Sequence, residues 1–190
     1  MISSSKRLCE IIRNRTKENR QVIQVISCIY PSKVPISPAV SILRQELDSM
    51  VKVIYLLSVS NITERETLIR SLLDGGKWKK NGKDRNLTDR DMVERANKLQ
   101  GWTLSVYKFG CAFIHLSYYH DYYQIDPFGR LSEEEQNNIL SHMRHYHGGP
   151  ENDHPTLAEL ATYIPNIFEK IASNLESYLK ELEKEPTQPS

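Results

Sequence analysis

The chain has 190 residues, of which 39% are hydrophobic and 26% charged, and a formal net charge of +1. That balance is expected of one soluble globular domain with long solvated helix faces, and it excludes a global electrostatic pull toward nucleic acid or anionic membranes. Cys9, Cys28 and Cys111 are odd in number and far apart, which argues against a disulfide framework and for a reducing, cytoplasmic setting. No apolar run approaches the ~18 residues of a membrane span, and no signal-peptide core follows Met1 to Arg7.

Helix signals are dense and strand signals sparse. A first helix is expected from Ser4 to Tyr30, although Val22, Ile23, Val25, Ile26 and Ile29 form a β-branched run that also suits a strand. Pro31, Pro35 and Pro38 read as an extended connector. Ser37 is then a good N-cap with Pro38 at the first helical position, and Val40, Leu43, Leu47, Met50, Val51, Ile54 and Leu57 follow at helical spacing. Thr63-x-x-Glu66 reads as a capping box that opens a short helix ended by Gly75-Gly76. Lys77 to Asn86 is polar and basic and reads as a mobile loop.

Thr88-x-x-Asp91 opens a central helix predicted to continue to Tyr119, with Gly101 and Gly110 inside it as marks of a bend or of close helix approach. Ser132-x-x-Glu135 and Thr156-x-x-Glu159 are two further capping boxes, the first helix ending at Gly148-Gly149-Pro150. After Pro165, the stripe Ile167, Ile171, Leu175, Tyr178, Leu179 and Leu182 predicts a last helix to Lys184. The expectation is an all-α fold: one helical bundle over residues 1–185, four long core helices with shorter ones around them, and a disordered tail at 186–190.

The six histidines, His115, His120, His142, His145, His147 and His154, fall within forty residues. His142 and His145 share a helix face, but neither has the Glu three positions before it that bundle di-metal sites use, and His-Glu-x-x-His is absent. Near a helix C-terminus, partly charged imidazoles also suit the helix dipole. No metal and no cofactor is expected, and no P-loop, Gly-x-Gly-x-x-Gly or Gly-x-Ser-x-Gly is present.

The segment Tyr107-Lys108-Phe109-Gly110-Cys111-Ala112-Phe113-Ile114-His115 carries the main chemical candidate. Seven steps of about 100° place Lys108 and His115 on one helix face, roughly 10 Å apart along the axis. His115 has a side chain whose pKa suits removal of a proton from a ribose 2′-hydroxyl, and Lys108 is a cation for the charge that develops on the phosphoryl oxygens. Tyr107 and Tyr119 belong to a group of five tyrosines, with Tyr118, Tyr122 and Tyr123, that offers faces on which bases stack. Arg144 and His147, on another predicted helix, join this site if folding or dimerisation brings them near. The competing reading makes His115 a buried histidine satisfied by a hydrogen bond, with the tyrosines lining the bundle or a dimer interface.

The Lys108-to-His115 segment resembles the Arg-x4-6-His signature of the HEPN superfamily, small α-helical bundles of prokaryotic toxin–antitoxin and phage-defence systems. The Arg44-x-Glu46 helix and the overall layout of residues 37–180 are similar to HEPN-like proteins as well. The resemblance implies a homodimeric, metal-independent RNA endonuclease whose paired motifs meet at the dimer interface. This chain has lysine where the family has arginine, and Phe109 where a polar residue usually follows. The alternative is a non-catalytic HEPN-like interaction module: an antitoxin, an immunity protein or a complex subunit. Either way a homodimer or a protein partner is expected, with RNA as the substrate of the catalytic reading and no membrane contact.

Overall fold

The computed structural model describes residues 3–30, 35–79, 86–114 and 126–184. Among these the chain is an all-α helical bundle of eight α-helices and one 3-10 turn, and the nearest approach to a strand is an isolated bridge between Lys79 and Asn86. The four longest helices are α1 (Ser4–Ile29), α2 (Ile36–Leu57), α8 (Ile164–Lys184) and α6 (Glu133–His147). Shorter ones are α3 (Ile62–Leu73), α4 (Asp89–Gln100), α5 (Thr103–Ile114) and α7 (Leu157–Ala161).

α2 is the central element and packs against α1, α3, α4, α5 and α8. Its side chains are buried on nearly every side, as a helix that is apolar all round requires. Leu47, Met50, Val51 and Val53 keep no exposed surface, and each such burial is worth roughly 1.5–3 kcal/mol. Glu46 sits among them, also fully buried. Its carboxylate accepts a hydrogen bond from Thr16 Oγ1 and one from Asn19 Nδ2, both at 2.7 Å. That pair of donors is what makes the burial of a carboxyl group tolerable.

α1 and α8 run antiparallel along α2, joined by a ladder of ion pairs. Arg13 reaches Glu176 at 2.9 Å and Glu183 at 2.6 Å, and Arg20 reaches Glu169 at 2.7 Å. Near the start of this seam Cys9 is buried, which pushes its thiol up to about 12.

The run from Val22 to Ile29 is helical and not strand. Only Ile23 of its residues is buried, while Val22, Val25 and Ile29 are exposed. α2 begins at Ile36 and not at Pro38. Ser37 is its second residue, and Pro38 stands in the first turn, where its missing N–H would have had no helical partner. The N-cap of α3 is Asn61, whose side chain accepts from Glu64 N at 3.0 Å, so Thr63 lies inside the helix. Asn ranks above Thr as an N-cap, which is why the helix starts there. The capping boxes at Thr88, Ser132 and Thr156 are all present.

The predicted helix from 88 onward is divided. Gly101 adopts φ 71°, a left-handed conformation open to glycine, and ends α4. The side chain of Asn97 then accepts Leu104 N at 3.1 Å and sets the start of α5. The predicted continuation from 115 to 119 lies outside the described residues. At the other loop, Trp78 is buried, stacks on Tyr55 at 5.5 Å and donates its indole N–H to Leu68 O at 2.9 Å. Leu87 N donates to Trp78 O at 2.7 Å, so both ends of that loop are tied to the bundle.

Candidate functional site

Gly110 on α5 lets α2 come close. A Cβ added there would stand 2.9 Å from Arg44 Cδ and 3.2 Å from Arg44 Cβ, so only hydrogen at that position leaves room for the arginine stem. Arg44 is 5% exposed. Its guanidinium is paired with Asp48, lies 3.5 Å from Asp89 and sits 4.2 Å from the centre of the Tyr107 ring. Arg44 Nε has no hydrogen-bond partner among the described residues, and the ring face of Tyr107 serves it instead. Burial, helped by a hydrogen bond with Cys111, lifts the Tyr107 phenol above its ordinary pKa. Tyr107 is therefore a platform for Arg44 within the bundle. Arg44 is the cation that sequence reasoning left out of the site, and Gly110 was the signal that something large lies against α5.

Lys108, one residue further, faces the other way. Its side chain is 62% exposed, and its Nζ lies 3.8 Å from Glu135 Oε1 in the first turn of α6. Arg144 and His147 occupy the last turns of the same helix. Glu135 and His147 are separated by roughly 18 Å along the axis at the rise of an α-helix, so within one chain Lys108 and His147 do not meet at a single phosphate. His115 and Tyr119 lie outside the described residues, as do His120, Tyr118, Tyr122 and Tyr123.

Arg144 is tied to the loop that follows α6. Its Nε donates to Pro150 O at 2.9 Å, and one terminal nitrogen donates to Asn152 O at 3.0 Å and to Asp153 at 2.7 Å. His147 points elsewhere, to the rim of an apolar cavity of about 90 Å³ bounded by α2, α5, α6, α7 and α8. Buried Phe128, Met143, Leu157, Ile164 and Ile171 form its interior. His142, Tyr146, His147 and Lys170, all at least partly exposed, form its mouth. His142 Nδ1 lies 2.7 Å from Asn138 O and so carries a proton, which orients the ring. Lys170 holds its ammonium 4.7 Å from the Tyr146 ring centre. Burial and the nearby Lys170 charge lower the pKa of His147. Of these rim groups, sequence reasoning reached only His147 as a binding residue. Tyr146 and Lys170 enter through the tertiary approach of α8 to α6.

Among the described residues, no three His, Cys, Asp or Glu side chains converge as a metal site would need. No described helix is long and apolar enough to cross a membrane. No protein-family model, curated protein or solved structure matches the chain.

Proposed function

We propose that this chain is a HEPN-like, non-catalytic interaction module that pairs with a second copy of itself through α1. One observation carries the reading. Ile11, Val22, Val25 and Ile29 are 49%, 46%, 54% and 62% exposed, and their spacing returns each to nearly the same helix direction. With Tyr30 they make up five of the eight large hydrophobic side chains exposed among the described residues. Val22, Val25 and Ile29 form a contiguous apolar patch, from which exposed Arg15 and Glu18 separate Ile11, and such a patch marks a contact surface. The committed state of the cations agrees with it: Arg44 faces Asp48 and Asp89, and Arg144 faces Asp153 and three backbone carbonyls.

The test is sedimentation velocity of the full chain beside Val25→Asp. This solvent-facing substitution leaves the core untouched. A wild-type dimer that becomes a folded monomer in the variant supports the reading. A wild-type monomer, or a dimer indifferent to Val25, overturns it.

The catalytic reading keeps one observation in its favour. Lys108 is exposed and, among the described residues, is held by one exposed carboxylate at 3.8 Å, an interaction worth under about 1 kcal/mol that an RNA phosphate can displace. Its measurement is cleavage of a mixed RNA pool in EDTA by wild type, His115→Ala and Lys108→Ala. Wild-type cleavage that leaves 2′,3′-cyclic phosphate ends, lost in both variants, establishes a ribonuclease. Intact RNA in every arm leaves binding as the activity.

A further inference from the structure

We infer that the cavity between α6 and α8 is a binding site for a small amphipathic monocarboxylate. Its tail lies in the apolar interior and its carboxylate lies between His147 and Lys170 at the mouth. The interior is built for hydrocarbon. Phe128, Met143, Ile164 and Ile171 are buried and carry no hydrogen-bonding side-chain group, so a water there would lack the two to four polar partners it needs. A dry cavity of about 150 Å³ takes in benzene; by proportion, about 90 Å³ holds a tail of roughly four carbons.

The mouth is built for negative charge. Lys170 lays its stem along the cavity wall and its ammonium beside the Tyr146 ring. On α8 the positions three and four residues away are Asn166, Ile167, Ser173 and Asn174, so its own helix supplies no acid. No carboxylate lines the cavity among the described residues. Arg13, Arg20, Arg44 and Arg144 each face at least one carboxylate, whereas the groups that share the mouth with Lys170 are His142, Tyr146 and His147. A bound carboxylate supplies the Lys170 ammonium with a counter-charge. His147 belongs to the last turn of α6, where the carbonyl ends carry partial negative charge. That end tolerates one ligand charge better than two, which favours a carboxylate over a phosphate dianion.

The experiment is an amide-detected NMR titration of the full chain with sodium propanoate, butanoate, pentanoate and hexanoate, beside 1-hexanol, hexylamine and inorganic phosphate. Amides of α6 and α8 are expected to shift. Affinity should rise about fourfold per added methylene until the cavity is full and then level off. Hexanoate should bind roughly tenfold tighter than 1-hexanol, as a charge-assisted contact provides. Lys170→Met should remove that advantage and leave the alcohol unchanged; Lys170→Gln replaces it if the first variant unfolds. Ala161→Met, which fills the cavity, should abolish both. The proposal is overturned by an absence of shifts with every acid, by affinity that does not depend on chain length, by hexylamine matching hexanoate, or by phosphate acting at lower concentration on the same amides.

Discussion

The seam between α1, α2 and α8 and the far rim where α6 meets α8 treat charge in opposite ways. Along the seam the buried carboxylate and the half-buried arginine are complemented: Glu46 has Thr16 and Asn19, and Arg13 has Glu176 and Glu183. At the rim, Lys170 and His147 share a mouth that no acid lines among the described residues. The first arrangement holds the fold together. The second supplies no such pairing, since Lys170 opposes protonation of His147 and forms no ion pair with it. Uncompensated charge at an apolar cavity is thus the better guide to a site than the richest cluster of charged residues.

Substitutions that attack the complemented side should cost most. Asp48→Ala removes the carboxylate paired with the buried Arg44 and leaves it Asp89 at 3.5 Å among the described residues. A loss of about 3–5 kcal/mol is expected in urea unfolding, because the guanidinium stays buried without its main partner. Thr16→Val deletes one of the two donors to Glu46 while keeping its volume. It should cost about 1.5–3 kcal/mol, the range for a hydrogen bond to a charged group. Gly110→Ala should cost about 1–3 kcal/mol by the same measurement. The new methyl meets the inner stem of Arg44, which packing holds in place, at 2.9–3.4 Å. Lys170→Met lies on the other side of the comparison. It should change stability by no more than about 0.5 kcal/mol in either direction. A large loss there would mean that Lys170 has a structural role and that the contrast between the two regions is false.

Much of the seam and little of the rim can be read from residue order. The capping boxes at Thr88, Ser132 and Thr156 are local contacts between residues three apart, so the sequence carries them whole. The stripe of α8 from Ile167 to Leu182 is equally direct, since one face of one helix meets the core. Periodicity says which residues share a face but not whether anything covers it, and this is why Val22, Val25 and Ile29 look like core and prove exposed. Gly101 was legible as a bend but not as a stop, because the new start at α5 uses the Asn97 side chain, which accepts Leu104 N seven residues on. Of the predicted site residues, Tyr107 and Arg144 are tied up by Arg44 and by the 150–153 backbone. Those partners lie outside the helical repeat of Tyr107 and Arg144, so no local pattern announces them. His147 lies not with Lys108 but at the cavity mouth with Lys170, twenty-three positions later on another helix.

Acid separates the two regions a last time, by smaller effects in distinct windows. Glu183 is held below its ordinary value near 4.5 by its hydrogen bonds from Arg13. A depressed carboxyl contributes stability that is complete above its unfolded pKa and is lost as pH falls through the folded one. That loss should therefore begin near 4.5 and continue below it. His147 is depressed from near 6.5 by burial and by Lys170. Since the unfolded chain binds that proton more readily, stability should fall as pH drops from about 6.5 through the lower folded value, well before Glu183 responds. Among the described residues, the titratable groups that line the cavity with this imidazole are Lys170 from α8 and His142 and Tyr146 from α6, and none is a carboxylic acid that could reverse the sign. In urea midpoints measured against pH, His147→Gln should flatten the upper step alone and Arg13→Gln the lower step alone. A bound monocarboxylate should shrink the upper step, because its charge favours the protonated imidazole in the folded state. An upper step that survives His147→Gln would place the titrating group elsewhere and remove His147 from the rim chemistry.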